Sequence, residues 1–154
     1  SAKALNLVVI VVLIRIFGAF IEARLPDGTL LMSHVRGELF SWNIPIIAII
    51  MIIPFISGLT TGIAIGFVGA SFPIVVNILG PSPSFNELIA CTTLAYGFAY
   101  VGMILSPVHV CLLVTIEYFK TNLFKIIFKL LKPASIIICG SVLLFLIYRF
   151  ILKF

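Results

Sequence analysis

The chain has 154 residues, of which 62% are hydrophobic and only 10% charged, and its formal net charge is +5. A typical soluble domain is about 25% charged, so the composition excludes an ordinary soluble domain and predicts an all-α membrane protein. A transmembrane helix needs about 20 mainly apolar residues. Four apolar stretches supply such residues, and together they predict a single transmembrane domain over 1–154: 5–21, 44–79, 88–119 and 134–151.

The predicted elements begin with a transmembrane helix over residues 4–21. Its apolar run contains Arg15 and lacks a small-residue cleavage site, which argues against a signal peptide. The connector 22–42 mixes acidic and basic residues without a cationic excess. The positive-inside rule therefore places this connector on the outer face of the membrane.

Residues 44–79 are apolar but too few for two full crossings and a turn, which need roughly 40 residues. A re-entrant hairpin with its tip at 57–62 fits this length. Irregular backbone at bilayer depth is tolerated only where it is buried in protein or lines a hydrated cavity, so the tip is a predicted binding site. Gly58, Gly62 and Gly66 also match the four-residue spacing by which small residues pack an unbroken helix against a neighbour.

A second break is predicted within the helix 85–119. A proline-rich run ends the hairpin, and Ser84 with Glu87 has the spacing of a capping box that starts a new helix. The new helix is too long for one perpendicular crossing, and it contains a Ser-Pro pair that disfavours helix. We therefore predict a discontinuous helix broken near 106–109. The alternative is a simple kink bonded through Ser106.

Residues 120–132 form a lysine-rich amphipathic connector. Its lysines are Lys120, Lys125, Lys129 and Lys132. The positive-inside rule places the connector in the cytoplasm. Apolar residues interleave with the lysines, which favours a helix lying along the lipid head groups over nucleic-acid binding. The last predicted transmembrane helix covers residues 134–152.

The two helix breaks indicate a common chemistry at membrane depth. Half-helices that restart after Thr61 and after Pro107 present unpaired N–H groups and about half a positive charge, which attract anions. Unpaired carbonyl and hydroxyl oxygens at the same breaks can bind a small cation. Discontinuous helices of secondary transporters use this combination to bind an anionic substrate together with a coupling ion. No cofactor and no resident metal are predicted.

His109 and Glu117 are the titratable candidates for proton coupling. His109 directly follows the predicted break, where it would contact substrate or carry a proton; the alternative is a satisfied interior histidine. Glu117 has Lys120 one turn later, which favours a structural ion pair over proton coupling. The sequence contains no HExxH, no paired aspartates and no GxSxG, so an enzyme is not expected.

Two stretches resemble an uncharacterised prokaryotic integral-membrane family of the ion-transporter superfamily, which also holds gluconate, citrate and dicarboxylate permeases. They are ISGLTTGIAIGFVGASFP at 56–73 and LSPVHVCLL at 105–113. The resemblance implies a carrier built from two inverted repeats, each with a re-entrant hairpin and a broken helix. It covers the chain from about Trp42 onward and corresponds to the second, C-terminal repeat.

Carried over residue by residue, the resemblance places the hairpin tip and the opposing break at the binding site. The implied substrate-binding and ion-binding residues are Ser57, Gly58, Thr60, Thr61, Gly62, Ser106, Pro107 and His109. The dicarboxylate permeases have a Ser-Asn-Thr signature at the tip. Here Gly58 replaces the asparagine, so the substrate and the sodium dependence of those permeases do not transfer to this chain.

These observations predict the C-terminal half of an ion-coupled secondary transporter, integral to the prokaryotic cell membrane (the cell inner membrane). It would carry a small organic anion by alternating access, in symport with H⁺ or Na⁺. The implied partner is the N-terminal half of the same transporter or a second copy. The alternative is a non-transporting structural or assembly subunit, for which apolar helices with glycine packing motifs suffice. Under this alternative, hydroxyl-to-alanine changes at Ser57, Thr60 and Thr61 are expected to be silent for activity.

Overall fold

A computed structural model describes residues 45–80 and 82–151, with isolated positions at 12, 16, 37, 38 and 41. The described residues form five α-helices and contain no strand, which confirms the predicted all-α class. The helices are α1 (Ile46–Thr61), α2 (Ala64–Leu79), α3 (Phe85–Ile104), α4 (Val110–Tyr118) and α5 (Leu123–Leu146), followed by a π-helical turn at Ile147–Ile151. Apart from the isolated positions, the predicted helix 4–21 and the connector 22–42 lie outside the described residues.

The helices α1 and α2 form an antiparallel hairpin. Ile49, near the start of α1, packs in one buried cluster with Ile78, near the end of α2. The chain reverses at Gly62, whose φ of 64° is left-handed and whose N–H donates to the Gly58 carbonyl at 3.0 Å. Glycine adopts this conformation without steric penalty, which is why α1 ends there. Each helix has 16 residues and is therefore about 24 Å long.

The helices α3 and α4 are separated by an interruption over residues 105–109. At the start of α3, the Glu87 N–H donates to the Ser84 hydroxyl at 3.2 Å, which is the cap that the sequence spacing predicts. The interruption contains Pro107, and the residue before a proline is disfavoured in helical conformation. The end of α3 at Ile104 follows from this local chemistry.

The helices α1 and α3 run parallel, and their backbones approach closely. A Cβ at Gly58 would overlap the Ala99 carbonyl oxygen, and a Cβ at Gly102 would overlap the Phe55 carbonyl oxygen. The contact therefore leaves no room for a side chain at either glycine, as in small-residue packing of membrane helices. Gly58, which lies buried within α1, acts as a packing residue in this structure.

The helix α5 packs antiparallel to α3. Ser141 lies against Gly97, and Phe145 belongs to the same buried cluster as Ala90 and Cys91. The helix begins after Asn122, whose side-chain oxygen accepts a hydrogen bond from the Phe124 N–H at 2.9 Å. This capping residue was not identified from the sequence.

A single helix joins the predicted connector 120–132 to the predicted last span 134–152. The structure has Leu123–Leu146 as one continuous helix that passes through Pro133. A proline inside a helix removes one backbone hydrogen bond. Because the helical repeat of apolar residues runs through both segments, the loss at Pro133 does not end the helix.

Of the described helical segments, two are long and apolar enough to span a membrane, namely Phe85–Ile104 and Leu123–Phe150. They correspond to α3 and to α5 with its π-helical extension, which pack against each other. The helices α1 and α2 are apolar but shorter. The fold thus combines two long helices with a short hairpin whose reversal lies beside the interruption of the α3–α4 segment.

Candidate functional site

The two helix breaks meet in space although they are distant in sequence. The Ser106 hydroxyl donates to the Leu59 carbonyl at 2.6 Å, and His109 Nδ1 lies 2.6 Å from the Gly62 carbonyl oxygen. The backbone is also close, because a Cβ at Gly62 would lie 3.1 Å from atoms of Val108 and His109. The last turn of α1 is thereby held against the interruption at 105–109.

Ser106 is fully buried and bonded on both sides of its hydroxyl group. It donates to Leu59 and accepts a hydrogen bond from the Val108 N–H at 3.3 Å. The predicted alternative is a simple kink bonded through Ser106. The hydroxyl bonds both locally, to Val108, and across to α1, so it connects the two breaks.

His109 is half-buried and forms the boundary between the interruption and α4. A carbonyl oxygen can only accept a hydrogen bond, so Nδ1 carries the hydrogen in its contact with Gly62. Within the described residues, Nε2 makes no hydrogen bond. Nε2 is therefore the ring nitrogen that remains for a hydrogen bond to a ligand.

The threonine hydroxyls at the end of α1 donate to their own helix. Thr60 Oγ1 lies 2.9 Å from the Ile56 carbonyl oxygen, and Thr61 Oγ1 lies 2.8 Å from the Ser57 carbonyl oxygen. Such bonds to the preceding turn are common for threonine in helices. The hydroxyl hydrogens are thus committed, while the oxygens retain lone pairs that can accept from or coordinate a ligand.

Ser57 differs from the threonines because its hydroxyl oxygen is buried and has no hydrogen-bond partner among the described residues. A buried polar group without a partner costs about 1–3 kcal/mol. Native structures contain few such groups, and a binding or catalytic role is one recognised reason for keeping one. Ser57 lies one turn before the chain reversal at Gly62, beside the two breaks.

Two helices begin at the breaks without a capping side chain from the described residues. The helix α2 starts after Ile63, and α4 starts after His109. The first N–H groups of a helix have no intrahelical acceptor, and they carry about half a positive charge. Both helix N-termini lie next to the contact between Gly62 and His109.

These two N-termini face opposite ends of the bundle. The helix α2 returns beside α1 toward the start of the hairpin. From Ser141, which is level with Gly97, α5 extends about 27 Å back to Leu123, well past the end of α3. Because α4 must reach that point, it leads away from the hairpin. The breaks therefore bring together the positive ends of α2 and α4 and the carbonyl ends of α1 and α3.

The structure separates the predicted site residues into groups. Ser57, Thr60, Thr61, Gly62, Ser106, Pro107 and His109 lie at or within one turn of the two breaks. Gly58 is buried in the contact between α1 and α3. Glu117 is exposed near the end of α4, about 12 Å along the helix axis from His109.

The predicted ion pair between Glu117 and Lys120 is absent from the described residues. Lys120 has a φ of 47°, and its backbone N–H donates to the Glu117 carbonyl at 3.3 Å. The left-handed backbone at Lys120 turns the chain out of α4, which separates the two side chains. Across 45–80 and 82–151, no three His, Cys, Asp or Glu side chains come together as a metal site requires.

Sequence reasoning missed Leu59, whose carbonyl accepts the hydrogen bond from Ser106. Its apolar side chain gives no signal, because the contribution is made by the backbone. Tyr96 and Tyr100 also lie near the glycines of α3. Their rings stack with centroids 6.3 Å apart, and the Tyr96 ring meets Phe67 edge-on at 5.6 Å, so these tyrosines pack along the face that joins α2 to α3.

The family model described as a protein of unknown function (DUF401) matches residues 3–151, so the chain belongs to this family. No curated protein and no solved structure matches the chain. The family match does not extend to the ion-transporter superfamily. That relationship rests on the resemblance of residues 56–73 and 105–113.

Proposed function

We propose that this DUF401 chain is the C-terminal half of an ion-coupled secondary transporter that binds a small organic anion where its two helix breaks meet. The observation that carries the proposal is the pair of contacts from Ser106 to Leu59 and from His109 to Gly62. Interrupted helices that meet within a bundle expose backbone groups, which a membrane tolerates only around a buried or hydrated site. Secondary transporters bind substrate at such places.

Helix lengths support a hairpin that enters the membrane and returns. At 16 residues, α1 and α2 are each about 24 Å long, which is less than the roughly 30 Å of the hydrocarbon core. The segment Leu123–Phe150 has 28 residues and covers about 42 Å. The ends of the hairpin lie beside the C-terminal end of α5, so the reversal at Gly62 falls part way along α5 and within the bilayer.

The polar groups at the breaks suit a carboxylate together with a coupling ion. The N-termini of α2 and α4 attract negative charge, and the Ser57 hydroxyl and His109 Nε2 supply further polar contacts. The carbonyl ends of α1 and α3 and the threonine oxygens suit a small cation. The coupling ion is H⁺, carried through His109, or Na⁺, held by these oxygens.

The lysines of α5 support an orientation. Lys125, Lys129 and Lys132 are exposed near the start of α5, at the end of the bundle remote from the open end of the hairpin. By the positive-inside rule this end faces the cytoplasm. The hairpin then enters from the outer face, and alternating access needs a second repeat, either the N-terminal half or another copy.

A structural or assembly subunit is the second candidate. The close backbone contact at Gly58 and Gly102 favours it, because such packing stabilises helix bundles without any binding role. This candidate gives no reason for the buried Ser57 hydroxyl to be kept.

Uptake by the full-length protein in proteoliposomes distinguishes the two candidates. The substrates are radiolabelled gluconate, citrate, succinate and lactate, each tested with an imposed Na⁺ or H⁺ gradient. The decisive variant is Ser57→Ala. We expect it to lower uptake at least about tenfold, since one hydrogen bond to a charged ligand is worth about 1.5–3 kcal/mol. The unfolding temperature should stay the same or rise, because a buried polar atom without a partner is removed.

Ser71→Ala is the matched control. Ser71 is fully buried, and its hydroxyl donates to the Phe67 carbonyl at 2.6 Å, so this variant should unfold at a lower temperature yet transport normally. Full uptake by Ser57→Ala would remove Ser57 from the site. If no anion is taken up by intact and correctly oriented protein, the structural subunit becomes the better description.

A further inference from the structure

A pocket of about 360 Å³ lies at the opposite end of α3 from the helix breaks. It is formed by the first turns of α3 and by the last turns of α5 with the π-helical extension. Its lining includes Ser84, Glu87, Cys91, Phe145, Tyr148 and Arg149. Along α3 it lies about 20–30 Å from the breaks, so it is a different site from the one proposed above.

The pocket contains opposite charges that do not neutralise each other directly. Glu87 lies in the first turn of α3, and Arg149 lies in the π-helical turn. Within the described residues no ion pair joins these side chains, although both line the same pocket. The Arg149 guanidinium instead lies 5.7 Å from the centre of the Phe145 ring. A ligand that carries both charges can therefore pair with the carboxylate and the guanidinium of this pocket at the same time.

The backbone that positions Arg149 is unusual. Ile147–Ile151 is π-helical, whereas the preceding turns of α5 are α-helical. A π-helical turn is rare and changes the direction of the side chains that follow it, and such turns are frequent at functional sites. Tyr148 and Arg149 lie in this turn, and both line the pocket.

The surface beside the pocket is apolar. Phe85, Leu146 and Phe150 are exposed, and they lie at the helix ends where a membrane protein meets the head-group region. Tyrosine and arginine are characteristic of that region because one end of each side chain is apolar and the other polar. A polar pocket bordered by exposed apolar side chains suits an amphiphile, whose acyl chains cover the apolar surface.

We propose that this pocket binds the head group of a zwitterionic phospholipid that has a primary ammonium group, namely phosphatidylethanolamine. Arg149 donates hydrogen bonds to the phosphate oxygens, and Glu87 accepts hydrogen bonds from the ammonium. A choline head group has no N–H to donate to Glu87. The glycerol head group of an anionic phospholipid brings no positive charge to balance that carboxylate. The pocket therefore selects ethanolamine over choline and glycerol head groups.

Native mass spectrometry of the delipidated full-length protein tests this selectivity. The probes are phosphatidylethanolamine, phosphatidylcholine and phosphatidylglycerol with identical acyl chains, each titrated separately. We expect phosphatidylethanolamine to be retained about tenfold better than either of the others, which corresponds to one charge-assisted hydrogen bond. Glu87→Gln should abolish this preference while leaving phospholipid binding in place. Arg149→Gln should weaken retention of all three lipids, and Arg149→Lys should weaken it less.

Lys125→Gln is the matched charge control, because Lys125 is exposed at the other end of α5; its lipid retention should equal that of the parent. Equal retention of the three lipids by the parent overturns the proposal, as does an unchanged ethanolamine preference in Glu87→Gln. Soluble glycerophosphoethanolamine, the same head group without acyl chains, is tested as an additional ligand. If it binds as tightly as the lipid, the ligand is a soluble zwitterion and the lipid assignment is wrong. No uptake is measured, so failure of the transport proposal leaves this test unaffected.

Discussion

The two helices that are long enough to span a membrane have very different surroundings. In the most apolar part of α3, 50% of the residues are buried, whereas the corresponding value for α5 is 17%. Among the described helices, α3 packs against α1, α2 and α5, while α5 packs mainly against α3. Among the described helices, the less buried α5 has the higher mean hydropathy, so apolar character alone does not identify the central helix.

The surroundings of the glycines show how differently α3 and α5 are packed. In α3, Gly97 and Gly102 each face atoms that a Cβ would overlap, and Gly58 faces α3 from α1 in the same way. In α5, a Cβ at Gly140 would meet no described atom within 4 Å. Within the part of the chain that the structure describes, the same residue type is a packing requirement in α3 and has open space beside it in α5. Substitution by alanine therefore measures how strongly each helix is constrained.

Gly58→Ala should have the largest effect on stability. Its Cβ would overlap a backbone carbonyl of Ala99, which cannot rotate away as a side chain could. We expect the free energy of unfolding to fall by about 3 kcal/mol or more, at the upper end of overpacking effects. The measurement is thermal unfolding in detergent. Unfolding is detected as the rate at which a thiol reagent labels the buried Cys91, in a background where Cys111 and Cys139 are replaced by alanine.

Gly140→Ala is the control for that measurement. It should leave stability unchanged or raise it by up to about 1 kcal/mol, because alanine has the higher helix propensity. An unfolding temperature for Gly58→Ala equal to that of the parent would show that α1 and α3 are farther apart than the structure places them.

Gly97→Ala tests the contact between the central helix and the peripheral one. A Cβ at Gly97 would overlap the Ser141 side chain. Because a side chain can shift more easily than backbone, we expect a smaller loss of about 1–2 kcal/mol. Adding Ser141→Gly should recover part of the lost stability, since it removes the overlapping atoms. Additive losses in the double variant would mean that the two positions do not touch.

The local features of this fold can be predicted from the sequence, but the pairing of its helices cannot. The end of α1 at Gly62, the interruption around Ser106 and Pro107, and the cap at Ser84 all arise from the conformational preferences of the residues present. The parallel contact between α1 and α3 does not, because it depends on groups more than forty residues apart, such as Leu59 and Ser106 at a separation of 47. A carbonyl acceptor also has no side-chain signature.

The glycine spacing in the hairpin is a second case in which the sequence pattern does not determine the tertiary contact. Gly58, Gly62 and Gly66 are equivalent in the sequence pattern, yet they have three different surroundings. Gly58 packs against α3, Gly62 has a left-handed φ at the chain reversal, and Gly66 faces the Thr61 side chain. The four-residue spacing by itself favours packing of an unbroken helix at all three positions, and only the tertiary contacts assign a separate role to each glycine.

Ser106→Ala should have the smallest of these effects on stability. The substitution lies at the interruption that follows the central helix α3. The variant loses the hydrogen bonds with the Leu59 carbonyl and the Val108 N–H, and we expect the free energy of unfolding to fall by about 1 kcal/mol. Ser135→Ala is the control, because Ser135 is exposed on α5 and its hydroxyl bonds only to the Leu131 carbonyl of its own helix. Its stability should change by less than about 0.5 kcal/mol. If the two variants are equally stable, the bond across the breaks contributes nothing beyond a local one. A larger loss in Ser106→Ala instead means that the breaks hold each other in place, as a site assembled from two interrupted helices requires.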